Sequence, residues 1–445
     1  MLYESTGMPG SSGFRQWLAR NKPLGWTSST YFGEGLPWSI GHQIASEYVT
    51  AIGMSPKQVG YTAWLHGTTM LKFLWSPIVE LFGSLRSWLV GMQALMGILV
   101  GILAIVAHRL AISDPSGPKD TTWIWVLLVG VGILSATHDI ACDGYYMAAL
   151  GKRDQARYSG TRVAAFRAAM LLGSSVLVFL GGHISWLWGF GSAAAILIVL
   201  SIVHRRLLPR VEAKRTRKEA AARARLAHIA GAYLSFLRQP GVVLVIAFLL
   251  TYKMADVLMF SMSKVLFDRE LGIPTDLRGI LNAFSMVASI GGAIVGALWI
   301  SKRTLGKTLF VITLLMALTE PLFVGLAAFA PDLAISQPGT VDSLNGIEWS
   351  KAMPGLAAVT LVVVLEQVCG GLATAAQMVF IMRRCNPDHR AAHYAFATAI
   401  YSIPQMIVGG YSGHFYESLG SVNYYWLVSA LTLPAVLLSR HVPTD

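Results

Sequence analysis

The stretch Ser135–Leu150, SATHDIACDGYYMAAL, places His138, Asp139 and Asp143 in the middle of an apolar run that starts near Trp123. An ionisable side chain at the centre of a membrane helix costs about 2.5–3.5 kcal/mol on insertion scales, so it persists where it faces a protein interior or a water-filled path. Asp139 and Asp143 are four residues apart, which places both carboxylates on one helical face. Two like charges held together favour protonation of one of them. The stretch therefore predicts a membrane helix that can take up protons; the alternative is a structural ion pair with a base on another helix.

The composition is typical of a polytopic helical membrane protein. Of the 445 residues, 54% are hydrophobic and only 13% are charged, and the mean hydropathy is +0.55. Apolar runs repeatedly reach the roughly 20 residues that an α-helix needs to span a bilayer. We therefore expect an all-α protein embedded in a lipid bilayer.

The hydropathy pattern predicts about twelve transmembrane helices in two sets of six. The predicted spans are 25–50, 56–82, 86–110, 121–150, 158–182, 184–207, 241–268, 276–301, 304–330, 353–384, 390–416 and 421–440. They divide the chain into a cytoplasmic N-terminal tail (1–24), an N-terminal six-helix half (25–207), a basic cytoplasmic linker (208–240), a C-terminal six-helix half (241–440) and a short tail (441–445). Two such halves joined by a long basic loop indicate a major facilitator fold, with a central path between the halves. Tyr31 and Glu34 in the first span loosely echo Tyr252 and Asp256 in the seventh.

Most of the positive charge lies in the predicted linker. Between His204 and Pro240 the sequence has ten Lys or Arg residues against two Glu, within a net charge of +12 for the chain. A basic stretch between membrane spans is typical of a cytoplasmic loop that meets anionic lipid, so the charge does not indicate a nucleic-acid partner. The other loops on this side also carry more Lys and Arg than the opposite loops, which predicts that both termini are cytoplasmic.

Ionisable residues in other predicted spans are candidates for charge pairing or solute binding. Lys72 lies about ten residues from a helix end, so it could pair with the acids of the Ser135–Leu150 stretch, unless its amine reaches the interface instead. Lys253 and Asp256 are three residues apart and can pair with each other, either as a fixed pair or as one that exchanges partners in a solute path. The guanidinium of Arg167 suits a carboxylate or a phosphate.

Two further acids complete the set of candidates. Glu366 is central in the tenth span, with Gln367 beside it, and Glu34 lies in the first span. Arg162 lies in the fifth span, but close enough to its cytoplasmic end to be interpreted as a positive-inside residue.

Common catalytic and metal-binding motifs are missing from the sequence. It contains no G-x-S-x-G, no H-E-x-x-H and no E-x-x-H pair, and its three cysteines show no C-x-x-C spacing. We therefore expect no metal and no cofactor, and a function other than enzyme catalysis. A membrane-embedded enzyme that uses His138, or a non-transporting sensor, remains the alternative from another class.

Four motifs in chain order resemble the AmpG-like muropeptide permease and acetyl-CoA transporter family of the major facilitator superfamily. KFLWSP (72–77), with an acid at Glu80, is similar to the helix-two motif of the family, and ATHDIACDG (136–144) is similar to its helix-four motif. YKMAD (252–256) resembles the helix-seven motif, and EQVCGGLATAA (366–376) resembles the helix-ten motif.

The resemblance implies a proton-coupled importer of a bulky polar solute in the bacterial inner membrane, working by alternating access. Members of the family move anhydro-muropeptides, acetyl-CoA or siderophore-like compounds. We expect a muropeptide-like solute and protons as the small-molecule partners, and a functional monomer. The predicted proton-coupling residues are Asp139, Asp143, Asp256 and Glu366. The predicted residues for solute binding or charge pairing are Lys72, Arg167, Lys253, His138, Glu34, Tyr145 and Gln367.

Overall fold

The computed structural model describes residues 22–113, 120–210, 231, 233–341, 343–386 and 390–444. Within these residues the chain is all-α, with twelve long helical segments joined by turns. The predicted fold class is therefore confirmed. Residues 1–21 of the predicted N-terminal tail and residues 211–230 of the predicted linker lie outside the described residues.

The first six helical segments precede the linker. They are α1 (Lys22–Ser39, the π-helical Ile40–Ile44 and Ala45–Ala51), α2 (Pro56–Tyr61, Thr62–Leu65, His66–Met70, Leu71–Leu74 and Ser76–Leu81), α3 (Leu85–Ala111), α4 (Thr122–Ala149), α5 (Lys152–Leu171, the π-helical Leu172–Leu177 and Val178–His183) and α6 (Trp186–Leu207). Local signals explain two of the starts. Ser55 and Gln58 form a capping box before α2, and Ser84 and Ser87 form one before α3.

The last six helical segments follow the linker. They are α7 (Val242–Thr251 and Met254–Arg269), α8 (Thr275–Lys302), α9 (Leu305–Thr319 and Pro321–Ala328), α10 (Trp349–Arg383), α11 (390–419) and α12 (421–439). The turn between α11 and α12 is at Gly420, whose φ of 74° lies in the left-handed region that glycine tolerates best.

Nine stretches of the described residues are long and apolar enough to cross a membrane. Eight of them correspond to α3 to α10, and the ninth, Phe396–Ser439, contains α11 and α12 together. α1 and α2 are divided by π-helical and 3-10 turns into shorter pieces, which the sequence did not predict. α1 also begins at Lys22, so residues 22–24 belong to a helix and not to a tail.

In each half, one pair of helices packs closely through small residues. A Cβ added at Gly292 of α8 would overlap the carbonyl oxygen of Val368 of α10, and one at Gly371 of α10 would overlap that of Ser289. On the other side of the molecule, a Cβ at Gly97 of α3 would lie 2.7 Å from the side chain of Ile198 of α6. Glycine lets these helix backbones approach closely, as small residues do in membrane bundles.

The two sets of helices meet through α2 with α11 and through α5 with α8. A Cβ at Gly60 of α2 would lie 3.0 Å from the backbone nitrogen of Gly413, and one at Gly279 of α8 would lie 2.7 Å from that of Phe179.

We call the end of the bundle where α6 ends and α7 begins the linker end. The opposite end, with the α1–α2 turn at 52–55 and the α7–α8 turn at 270–274, is the far end. The Gly60 contact and the Gly279 contact both lie toward the far end.

Candidate functional site

A cavity of about 870 Å³ lies between the two sets of helices. Its wall is built from α1, α2 and α5 on one side and from α7, α8, α10 and α11 on the other. The charged side chains that line it are Glu34, Glu47, Arg162, Arg167, Lys253, Asp256, Lys264 and Glu366. Charges of both signs therefore face one chamber that both halves enclose.

The acids of α4 are held by different partners. Lys72 of α2 contacts Asp139 directly through its amine. Arg162 of α5 donates to Asp143 Oδ1 at 2.6 Å, and the hydroxyl of Tyr31 of α1 donates to the same oxygen at 2.6 Å. The Arg162 guanidinium also stacks 4.2 Å from the centre of the Tyr31 ring. The two carboxylates are thus neighbours on one helical face that are tied to three other helices.

A third carboxylate joins this pair. Glu34, Asp139 and Asp143 each place an oxygen so that the three atoms lie within 4.8 Å of one another. Glu34 Oε2 is buried and has no hydrogen-bond partner in the part of the chain that is described. With two cations, Lys72 and Arg162, facing three acids, one carboxylate of this acid cluster (Glu34, Asp139 and Asp143) lacks an ion-pair partner. Three oxygens could also hold a cation, but Lys72 and Arg162 already occupy two of the carboxylates.

Arg162, and not Arg167, is the base of α5 that pairs with Asp143. Asp143 and Arg162 are 19 residues apart and flank the short α4–α5 turn, so the antiparallel helices bring them together. The position of Arg162 near a helix end indicates a positive-inside residue, so this pairing was not predicted from the sequence. Arg167 lines the cavity, and no acid among the described residues lies within 4.0 Å of its guanidinium.

A second polar cluster lies in the C-terminal half. Lys253 Nζ donates to Asp256 Oδ2 at 3.0 Å and to the carbonyl of Gly370 at 3.3 Å. Gln367 Nε2 donates to Glu366 Oε2 at 2.7 Å. A Cβ at Gly370 would lie 3.3 Å from Glu366 Oε1, 3.6 Å from Asp256 Oδ1 and 3.8 Å from Lys253 Nζ, so the three charged groups converge on this glycine.

Five predicted site residues are not part of the cavity wall. Asp139, Asp143 and Lys72 are linked to it through the wall residues Glu34 and Arg162, whereas His138 and Tyr145 are packed elsewhere in the protein. His138 is fully buried, and neither ring nitrogen has a hydrogen-bond partner among the described residues. Tyr145 is buried near the linker end, where its hydroxyl donates to the carbonyl of Pro209 at 2.8 Å and its ring meets Trp26 edge-on at 5.2 Å. His138 and Tyr145 therefore lie in packing environments in this structure, and their role in solute binding or charge pairing stays a prediction.

Aromatic rings cover part of the cavity wall beside the acid cluster. Trp38 stacks on His42 with 4.3 Å between ring centres, and His66 meets His42 edge-on at 4.0 Å. His42 belongs to the π-helical segment Ile40–Ile44, and such segments occur often at functional sites. These rings place aromatic faces and edges next to charged groups.

The far end is closed by a buried ion-pair network that the sequence analysis did not predict. Arg278 of α8 donates to Glu47 Oε2 of α1 at 2.9 Å and to Asp268 Oδ1 of α7 at 2.6 Å. Asn282 donates to Glu47 Oε1 at 3.0 Å and to the carbonyl of Ser174 at 2.9 Å. Because Glu47 and Ser174 belong to the N-terminal half and the other three to the C-terminal half, the network joins the halves.

Comparison with known proteins gives consistent matches over most of the chain. A family model described as Major Facilitator Superfamily matches residues 27–341. The anhydromuropeptide permease of Escherichia coli (strain K12) is 22% identical over 421 residues, which covers 92% of this chain and 77% of that protein. An uncharacterized protein of Haemophilus influenzae is 24% identical over 422 residues, and this alignment covers 92% of this chain and 91% of that protein.

The fold is also similar to that of solved transporters. The crystal structure of a D-xylose-proton symporter superposes with a TM-score of 0.66 at 12% identity, covering 95% of this chain and 98% of that chain. The anhydromuropeptide permease and the D-xylose-proton symporter are transporters and not enzymes, as expected from the sequence. The chain therefore belongs to the Major Facilitator Superfamily, as a polytopic membrane transporter of small-molecule solutes.

Proposed function

We propose that this transporter is a proton-coupled importer of a bulky polar solute of the anhydro-muropeptide class. In this proposal it acts as a monomer in the bacterial inner membrane, with both termini and the linker end in the cytoplasm. Residues 25–207 and 241–440 rock against each other as rigid halves around the cavity. The far end would then face the periplasm.

The observation that carries the proposal is the acid cluster beside the cavity. Three carboxylates within 4.8 Å of one another repel, and Lys72 and Arg162 offset only two of the charges. A proton would neutralise the remaining charge at Glu34, Asp139 or Asp143. Protonation of Asp139 or Asp143 would also weaken its ion pair with Lys72 or Arg162, which frees a cation as the halves move.

The polar cluster of the C-terminal half, Lys253, Asp256 and Glu366, supports a second protonation site in the same cavity. Glu366 is 3% exposed and lies next to the Lys253–Asp256 pair. All three line the cavity together with Gln367. A proton on Glu366 or Asp256 would change how firmly Lys253 is held, so a solute that reaches Lys253 would be linked to the protonation of its neighbours.

The shape and chemistry of the cavity support a large amphipathic solute. Its volume of about 870 Å³ is near the top of the roughly 300–1,000 Å³ common for ligand sites. The rings of Trp38, His42 and His66 suit sugar rings, whereas Arg167 suits a carboxylate. The relative from Escherichia coli carries the name anhydromuropeptide permease, which matches a solute with both sugar and acidic peptide parts.

Closure of the far end supports a conformation that is open toward the linker end. The Glu47–Arg278 pair and the exposed Lys57–Glu417 pair, at 3.0 Å, both join the halves at the far end. With the linker end in the cytoplasm, this is the state from which an importer releases solute to the cell interior.

Uptake of a radiolabelled anhydro-muropeptide into proteoliposomes tests the proposal. Matched vesicles carry an inward proton gradient, an inward sodium gradient or no gradient, and protein-free vesicles give the background. We expect accumulation of chemically intact solute with the proton gradient alone. Accumulation with sodium alone would contradict proton coupling, and a chemically altered product would favour an enzyme. No uptake of the muropeptide would favour acetyl-CoA or a siderophore-like compound as the solute.

A further inference from the structure

We propose that Lys264 is a solute-binding residue and that the transported solute carries at least two anionic groups, one held by Lys264 and one by Arg167. The inference rests on the proposed function, because it concerns the solute that enters the same cavity. Lys264 lies on α7 in the C-terminal half, and Arg167 lies on α5 in the N-terminal half.

Lys264 is buried without an acidic partner. The residue is 4% exposed, its amine lies 3.4 Å from the carbonyl oxygen of Phe260, and it sits 3.6 Å from the centre of the ring of Phe260. No carboxylate among the described residues lies within 4.0 Å of the amine. A buried ammonium normally needs a counter-charge, and one carbonyl and one ring supply only part of it.

Two other lysines within the described membrane helices are paired. Lys72 contacts Asp139, and Lys253 contacts Asp256. Each therefore has a carboxylate from the protein itself. Lys264 differs from them although it lines the same cavity as Lys253.

Glu47 is the acid that faces Lys264, but other groups hold both of its oxygens. Oε2 accepts from Arg278, and Oε1 accepts from Asn282. Arg278 also contributes positive charge near Lys264. Glu47 and Asp268 together balance the charges of Arg278 and Lys264, but both acids contact Arg278, so an anion that contacts the Lys264 amine directly would come from the cavity.

Arg167 provides the matching cation on the opposite wall. It lines the cavity without an ion-pair partner in the part of the chain that the structure describes, whereas its neighbour Arg162 is held by Asp143. One cation from each half is thus free to bind an anion. A solute with two separated carboxylates would contact both halves at once, so binding would be coupled to their relative movement. An acidic stem peptide has this chemistry.

A substitution series with two ligands tests the role of Lys264. The ligands are a labelled anhydro-muropeptide tripeptide and its analogue with the peptide carboxylates converted to carboxamides. The proteins are the full-length wild type, Lys264→Met, Lys264→Arg and the control Lys351→Met. Lys351 is 79% exposed in its side chain and pairs only with Glu348 in the described structure, so its loss reports the general effect of a Lys→Met change.

We expect Lys264→Met to raise the KM for the carboxylate ligand about tenfold or more, because a hydrogen bond to a charged group is lost. The effect of Lys264→Met on the KM for the carboxamide ligand should be small. Lys264→Arg should keep most of the wild-type preference for the carboxylate ligand over the carboxamide ligand. Lys351→Met should behave as wild type with both ligands. Equal losses for both ligands in Lys264→Met would overturn the inference and leave the proposed function intact. If the wild type transports neither ligand, the proposed function fails and the inference falls with it.

Discussion

The carboxylate of Asp143 joins three helices through two charged or polar neighbours. Tyr31 of α1 and Arg162 of α5 both donate to the same oxygen at 2.6 Å, and Arg162 also stacks on Tyr31. The two donors, one of them the cationic Arg162, stabilise the ionised form, while the nearby Glu34 and Asp139 oppose it. In the proposed mechanism, a solute or a movement of α5 would shift this balance and change proton occupancy.

We predict that Asp143→Asn abolishes proton-driven accumulation while solute exchange persists. The amide keeps the size of the side chain but cannot release a proton, so uphill transport loses its coupling. Accumulation should fall to the background, and counterflow of labelled against unlabelled solute should continue. The matched control is Asp154→Asn, an exposed acid in the first turn of α5, which should transport normally. Normal accumulation by Asp143→Asn would contradict this role.

The residue-level pairing could be predicted only in part. The spacing of Asp139 and Asp143, the Lys253–Asp256 pair and a mid-membrane Lys72 were all visible in the sequence, and the structure pairs Lys72 with Asp139 and Lys253 with Asp256. Arg162, and not the deeper Arg167, is the partner of Asp143, whereas the position of Arg162 near a helix end indicates a positive-inside residue. The choice between the two arginines depends on the rotation of α5 about its axis, which sequence spacing alone does not give.

At the level of the helices, the two halves place similar groups on corresponding elements. Tyr31 of α1 reaches Asp143 of α4, and Tyr252 of α7 donates to the carbonyl of Ala373 of α10 at 3.1 Å. The weak echo between the first and seventh spans therefore corresponds to a similar arrangement in space. The helix positions were predictable from hydropathy because each span needs about 20 apolar residues. The π-helical segments of α1 and α5 were not, because they arise from packing between helices.

We predict that Gly292→Ala lowers the stability of the folded protein, because its Cβ would overlap the carbonyl of Val368 and push α8 away from α10. Overpacking of this kind costs about 1–3 kcal/mol. The measurement is the thermal unfolding midpoint of purified protein in detergent. Gly291→Ala is the control, since a Cβ there meets nothing within 4 Å, and its midpoint should stay at the wild-type value or above. Equal midpoints for the two variants would contradict the close packing of α8 and α10.

For the whole molecule, the network around Arg278 is a buried link between the halves at the far end. Glu47 and Arg278 are each 1% exposed, so their ion pair is shielded from water. A broken buried pair leaves a charge without its partner, which costs far more than the loss of an exposed pair. The link could not be predicted from the sequence, because Glu47 and Arg278 are 231 residues apart and belong to different halves.

We predict that Glu47→Gln shifts the protein toward a state open at the far end. The destabilisation of the closed end should be up to about 3 kcal/mol, because Asp268 still contacts Arg278 in the variant. Spin labels at Ile184 and Ser418, both exposed at the far end in different halves, report the distance by double electron–electron resonance. The native cysteines are replaced before the labelling cysteines are introduced. We expect a longer-distance population to increase in Glu47→Gln.

Glu417→Gln is the matched control for this shift. It removes the partly exposed pair with Lys57 at the same end, and exposed pairs contribute only about 0–1 kcal/mol. Its distance distribution should resemble that of the wild type. A shift in Glu417→Gln as large as that in Glu47→Gln would contradict the buried network as the main link.

The most direct test of proton-coupled import by the acid cluster is to record proton and solute movement in the same proteoliposomes. With no gradient imposed, addition of an anhydro-muropeptide to the outside of wild-type vesicles should make the outer medium more alkaline as solute enters, as reported by a pH-sensitive dye. In Asp143→Asn vesicles, solute should enter by facilitated diffusion with no change in the outer pH. Solute entry into wild-type vesicles without any proton movement would contradict the account.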